Sequence, residues 1–403
     1  MSKRRRKKKQ YIPQSKKRSN DPTRLISTTT PVIRLKNFRL GGIAISNAKA
    51  GEELMVLVRA LLTSDEREFH QYMESIGNMI SAKAREAGVI LSLDSLLGLL
   101  LVIHKDETAE LYLNNVGMSV EILAKRSIKA GEVVYGKDIA DIRRLKYQDI
   151  TFVPTDKVFY CFKVGWKFGL FFDLADNRDL DMERMEYDSG RLYRRLRYQG
   201  LYEALADKAI VERITASGWF PFIETMGGDF DPLLKAYEAE FDVEAKENKL
   251  IESFGPDRID AIADRWWKNP IIAKHQTVLQ AGLNAFKNKD YVSCTKNIMT
   301  EIEGILSDLH LAEKGSIVKT EELLRHAVDK GVKKSGGEAS LFFPDDFLKY
   351  LLNVAYANFD PYAPESAGAS RHTIGHGRAS GDTYTPARAL QAILTLDQIA
   401  FYL

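Results

Sequence analysis

Cysteine is nearly absent from this chain. Only Cys161 and Cys294 occur among 403 residues, far apart and without paired spacing. This excludes a disulfide framework and a cysteine-built structural zinc module, and it fits reduced core thiols in a cytoplasmic protein. Long apolar runs are also missing. The longest candidate, Leu96 to Ile103, covers eight residues, whereas a membrane-spanning helix needs about 20. No membrane span is expected, and Leu96 to Ile103 reads as a buried strand. The N-terminus carries positive charge with no apolar stretch behind it, so it does not read as a secretory signal.

What remains has the balance of a soluble globular protein, with length for two or three domains. The net charge of +3 hides an asymmetry. Residues 1 to 24 hold eleven Lys or Arg against Asp21 alone, so +10 sits there and −7 is spread over the rest. Residues 1–30 read as a disordered basic tail. Such a run binds phosphate backbones through counterion release and is also attracted to anionic membrane. A solvated tail with nonspecific affinity for polyanions is the plainer reading.

Apolar spacing divides the remainder. Residues 31–180 read as an α+β domain. Leu54, Leu57, Val58, Leu61 and Leu62, continued by Phe69, Met73, Ile76 and Ile80, predict a helix over about 50–88. Leu97 to His104 and Ala109 to Leu113 flank the polar turn Lys105-Asp106-Glu107 and predict a hairpin. Ile150–Val153, Val158–Val164 and Phe168–Leu174 are further strand candidates in a small antiparallel sheet. The aromatic block around Trp166 and Phe171 reads as core rather than as a base-stacking platform, since no Lys/Arg pattern interleaves with it. Residues 181–270 read as a helical connecting region, with a break at Gly218-Trp219-Phe220-Pro221 and helix from Asp231 to about Lys268.

Residues 271–403 read as an all-α bundle. Helices are predicted over Gln276–Phe286, Tyr291–Leu311, Asp345–Ala357 and from Pro386 to the end, with a short one near Glu321–Val332. Thr385 before Pro386 is an N-cap arrangement. The long connection before it carries Arg371-His372-Thr373-Ile374-Gly375-His376-Gly377, followed by Arg378. Gly375 and Gly377 each disfavour helix by roughly 1 kcal/mol relative to alanine, so a helical turn or tight loop is expected.

Three chemistries suit these residues. In phosphoester cleavage a histidine moves protons while an arginine binds phosphate with its planar fork. The ribose 2′-hydroxyl would attack the adjacent phosphate with no metal. In a metal site His372 and His376 would be two ligands and Asp382 a third, but position 373 is Thr and lacks the glutamate of a His-Glu-x-x-His protease. In a structural role both histidines would cap backbone groups.

Arg371 and His376, with four residues between and the polar His372 after the arginine, resemble the Arg-x4-His signature of the HEPN superfamily. The longer string Arg371, His372, Ile374, His376 and Gly377 is similar to the Asn-Arg-His-x-Ile-x-His-Gly text of a group of mostly bacterial multidomain proteins, with Ser370 where asparagine is common. Glu301-Ile302-Glu303-Gly304-Ile305-Leu306 resembles the acidic-Glu-Gly-Ile block of their second helix. The resemblance covers about residues 275 to 403. It implies a HEPN-like four-helix bundle, metal-independent endoribonuclease activity in defence or stress response, no cofactor, RNA as partner and a homodimer through the bundle. In that reading Arg371 binds the scissile phosphate, His376 is general acid or base, His372 assists, and Glu303 and Arg378 support them. The alternative it implies is an inactive relative that only binds RNA or dimerises. In the catalytic reading residues 31–270 would sense substrate or control activity.

Overall fold

The computed structural model describes residues 32–92, 96–114, 116–335, 337, 339–357, 370–375 and 377–403. The basic tail over 1–30, residues 358–369 and His376 lie outside the described residues.

The N-terminal region is a mixed α/β unit built on antiparallel strands. Its main sheet has the order β1 (Ile33–Leu35), β6 (Ala109–Leu113), β5 (Gly98–Ile103), β9 (Lys157–Val164), β10 (Lys167–Asp173) and β4 (Arg59–Thr63), with every neighbouring pair antiparallel. Strands β2 (Ile43–Ala44) and β3 (Val56–Leu57) pair separately, as do β7 (Met118–Ala124) and β8 (Ile139–Tyr147). The central strands are apolar at almost every position because both faces are covered. Leu99, Leu101, Ile103, Phe159, Cys161, Leu170 and Phe172 face helix α1 (Arg67–Glu86) with its Phe69, Ile76 and Ile80. Leu100, Val102, Tyr160, Phe162 and Phe171 face helix α2 (Met182–Arg197) with Met185, Leu192 and Leu196.

The expected helix over 50–88 begins only at Arg67. Leu61 and Leu62 lie in β4, which zips onto β10 from Arg59↔Asp173 to Thr63↔Gly169. Leucine pairs recurring every three or four residues suit a helix stripe, but in β4 successive leucines supply opposite sheet faces, and tertiary pairing overrides the local pattern. Ile150–Val153 is not a strand, and β7 and β8 were not anticipated.

Gly190 decides how α2 meets the β7–β8 ribbon. A Cβ there would stand 2.5 Å from the Arg143 carbonyl oxygen. Beside it, buried Arg194 donates to Asp141 at 3.1 Å, and Asp141 also accepts from the Leu341 backbone N–H at 3.1 Å. One carboxylate of β8 thus ties the sheet region to a distant stretch of the helical region.

The C-terminal region is mostly helical. Helices α3 (Gln199–Ala206), α4 (Lys208–Ala216), α5 (Asp231–Ala239), α6 (Val243–Glu252), α7 (Pro256–Trp266) and α8 (Pro270–Ala273) lead into α9 (Gln276–Lys287), α10 (Tyr291–Lys314), α11 (Thr320–Ser335) and α12 (Pro344–Tyr350). The helix expected over Asp231–Lys268 is three helices. Glu240 and Asp242 adopt left-handed backbone at its first break, and Gly255-Pro256 makes the second. A π-helical turn, Leu351–Ala355, follows α12, and after residue 370 come α13 (Arg371–Gly375) and α14 (Pro386–Tyr402). Thr385 caps α14, its hydroxyl accepting from the Arg388 N–H at 3.2 Å.

Helix α14 is buried on nearly all sides. Its apolar residues join a core that runs from Leu201, Trp219 and Phe222 through Ile302 and Leu324 to Ile399 and Tyr402. Its polar residues are matched to backbone and charge. Gln391 donates to Ser217 O at 3.0 Å, and Gln398 donates to Phe342 O at 3.1 Å while accepting from Ile223 N–H at 2.8 Å. Asp397 accepts from Arg265 at 2.8 Å and from the Trp266 indole at 3.0 Å. Pairing of this kind is what makes burial of polar groups tolerable. No helix among the described residues is long and apolar enough to cross a membrane.

Candidate functional site

Helix α13 is a single turn fixed at both ends. Ser370 is its N-terminal cap: its hydroxyl accepts from the Thr373 N–H at 3.3 Å and donates to Ala357 O at 2.9 Å. Serine and asparagine are both favoured at this position because each offers a short side-chain acceptor. Ser370 therefore meets the capping requirement that an asparagine would. At the other end Gly377 has φ +63°, which favours glycine, and its N–H donates to Ile374 O at 3.1 Å. The Arg378 and Ala379 N–H groups both return to Thr373 O, at 2.8 and 3.2 Å. Thr373 and Ile374 point inward and anchor the turn.

Arg371 and Glu303 are brought together. Arg371 Nη2 stands 2.6 Å from Glu303 Oε2, with both side chains about a quarter exposed. Glu303 lies on α10, and its other oxygen accepts from the Thr320 hydroxyl at 3.0 Å. The Arg371–Glu303 contact is a charge contact rather than an aligned hydrogen bond, since Glu303 Oε2 and the buried Arg371 Nε lack hydrogen-bond partners among the described residues. The Gly304 that follows Glu303 lets His275 lie against α10, where a Cβ would meet the imidazole carbon at 3.1 Å. His275 Nδ1 is 2.6 Å from Glu301.

His372 packs edge-on against Tyr356, with ring centroids 6.2 Å apart. The side chain of Arg378 is exposed. Asp382 sits in the 3-10 turn Gly381–Thr383, where the Ser380 hydroxyl holds its carboxyl below the usual range. Among the described residues no three His, Cys, Asp or Glu gather in a metal-holding group. His376, the proposed acid or base, lies outside the described residues.

Tyr356 was not picked out from the sequence. It ends the π-helical turn, is buried, and its hydroxyl has no hydrogen-bond partner among the described residues. Burial pushes its pKa up, the nearby Glu303 carboxylate adds to that, and Arg371 opposes it. The hydroxyl therefore stays protonated, a standing donor beside Arg371 and Glu303. No sequence signal places it there, because residues 358–369 separate it from the motif.

The chain matches no protein-family model, no curated protein and no solved structure.

Proposed function

We propose that residues 271–403 form a HEPN-type four-helix unit that cleaves RNA phosphodiesters without a metal. Arg371 neutralises the charge that develops on the scissile phosphate. His376, assisted by His372, takes the proton of the ribose 2′-hydroxyl as it attacks phosphorus. The P–O5′ bond breaks, leaving a 2′,3′-cyclic phosphate and a 5′-hydroxyl once that oxygen is protonated. In the same reading the protein works in the cytoplasm in defence or stress response, and two copies join through the bundle to place two motifs on one cleft. The basic tail concentrates the protein on RNA.

The observation that supports this reading is the placing of Arg371. It sits on a capped turn just before the last helix and is steadied by Glu303 from α10. A second reading has its own support. The guanidinium is already neutralised by Glu303 and its Nε is buried, as suits an inactive relative that binds RNA or dimerises. Incubation with total RNA in EDTA separates the two. Cleavage with cyclic-phosphate ends, lost in Arg371→Ala and in His376→Ala, is the result expected. Cleavage indifferent to both substitutions would sink the catalytic reading.

A further inference from the structure

A cavity of about 720 Å³ opens at one end of the strands of the six-stranded sheet. Four connections converge there because β1, β5 and β10 end, and β6 and β9 begin, on the same side. The volume falls within the roughly 300–1,000 Å³ typical of small-molecule sites. Phe38, Leu40, Ile103 and Ala175 supply apolar wall, and most of the remainder is polar.

His104 stands in this wall on a buried support. Asp156, fully buried, spends one carboxylate oxygen on the Val153 N–H at 2.8 Å and the other on His104 Nδ1 at 2.8 Å. A carboxylate only accepts, so Nδ1 carries the hydrogen and Nε2 remains for another partner. His104 is partly exposed, so Nε2 is open to a ligand.

The charges of the wall favour an anion. Two of its carboxylates are already matched: Glu107 by Arg39 at 2.7 Å, and Asp176 by Lys157. Asp179 is the one remaining carboxylate of the wall. Against it stand Lys105, exposed and in no ion pair among the described residues, and Arg178. Arg178 contacts both oxygens of Asp173 at 2.8 Å, but Asp173 is shared with Arg59 at 3.4 Å. Arg59 in turn shares Asp188 with Arg184 and Arg191. Four guanidiniums thus divide two carboxylates, so the Asp173 carboxylate does not belong to Arg178 alone.

We propose that this cavity binds the phosphate monoester of a small molecule, with Lys105, Arg178 and His104 Nε2 taking the phosphate. The ammonium and the guanidinium donate to phosphate oxygens, and the contact at His104 Nε2 carries one proton, held between the ring nitrogen and a phosphate oxygen. The apolar wall takes the organic part. The site is independent of the motif at Arg371.

Calorimetric titration of the full chain tests this with adenosine 5′-monophosphate, adenosine and inorganic phosphate as probes. Adenosine 5′-monophosphate is expected to bind, and adenosine is not. Lys105→Ala, which alters only an exposed side chain, is expected to weaken binding by about tenfold, and Arg178→Ala by a similar factor. Arg371→Ala is expected to leave it unchanged. Absence of binding by both adenosine 5′-monophosphate and inorganic phosphate overturns the proposal. So does binding indifferent to Lys105→Ala and Arg178→Ala, or binding abolished by Arg371→Ala. A 5′-phosphorylated oligoribonucleotide that binds where adenosine 5′-monophosphate does not would make the site an RNA-end site and overturn the small-molecule assignment.

Discussion

Tyr356 keeps its hydroxyl buried near Arg371 and Glu303 with no hydrogen-bond partner among the described residues. A group of this kind costs about 1–3 kcal/mol when left unsatisfied. Tyr356→Phe should therefore leave stability unchanged or raise it by about 1 kcal/mol, as measured by urea denaturation. A clear loss of stability would show that the hydroxyl has a partner after all. Glu303→Gln keeps the shape of the contact with Arg371 but removes its charge. Both side chains are partly exposed, so the expected loss is small, about 0.5–1 kcal/mol, and it should shrink in high salt. At this scale Arg371, Glu303 and their order along the chain were legible as text. Tyr356 and Thr320 were not, because their roles depend on where the chain folds back.

Among the elements, α14 was the easiest to read. The Thr385-Pro386 pair is a local start signal, and local signals survive folding. Thr385→Ala should cost about 1 kcal/mol through loss of the α14 cap; a thermal melt indistinguishable from the parent chain would show that the cap carries no weight. Gly190→Ala should cost more, roughly 2 kcal/mol or above, since a Cβ would press into the Arg143 backbone. Weakened protection of β8 amides in hydrogen exchange is the accompanying sign. The leucines before Arg67 misled for the opposite reason. Their spacing fits a helix, and only the pairing of β4 with β10 makes Leu61 and Leu62 part of a strand.

At the scale of the molecule, the sheet region and the helical region meet over a charged node. Lys125, buried at the end of β7, donates to Met226 O at 2.7 Å. Glu224, whose own carbonyl lies 3.3 Å from Lys125, accepts from Arg258 and Arg265, and Arg265 reaches Asp397 on α14. Burial pushes the Lys125 ammonium down to about 8. The unfolded chain holds that proton up to the ordinary lysine value near 10.5. Between those values the unfolded state binds more protons, so stability from this group rises with pH, by at most about 3 kcal/mol. Below about 8 both states are protonated and the contribution is level. Subtracting the stability–pH curve of Lys125→Met from that of the parent chain isolates the effect. A flat difference between pH 8 and 10 would mean that Lys125 keeps its ordinary pKa.

Composition and local pattern by themselves determined the coarse plan: antiparallel strands with helix toward the N-terminus, mostly helix toward the C-terminus, no helix among the described residues able to cross a membrane, and a helical turn or tight loop carrying Arg371 ahead of the last helix. Each of these follows from interactions between residues close in sequence, or from the period at which apolar side chains recur. The tertiary structure alone decided the rest. It set the order of six strands, the meeting of Arg371 with Glu303, the burial of the Tyr356 hydroxyl, the His104–Asp156 support and the burial of α14 on nearly all sides. Those depend on contacts between residues many positions apart. No local preference encodes them, and only the packed chain brings such groups within hydrogen-bond reach.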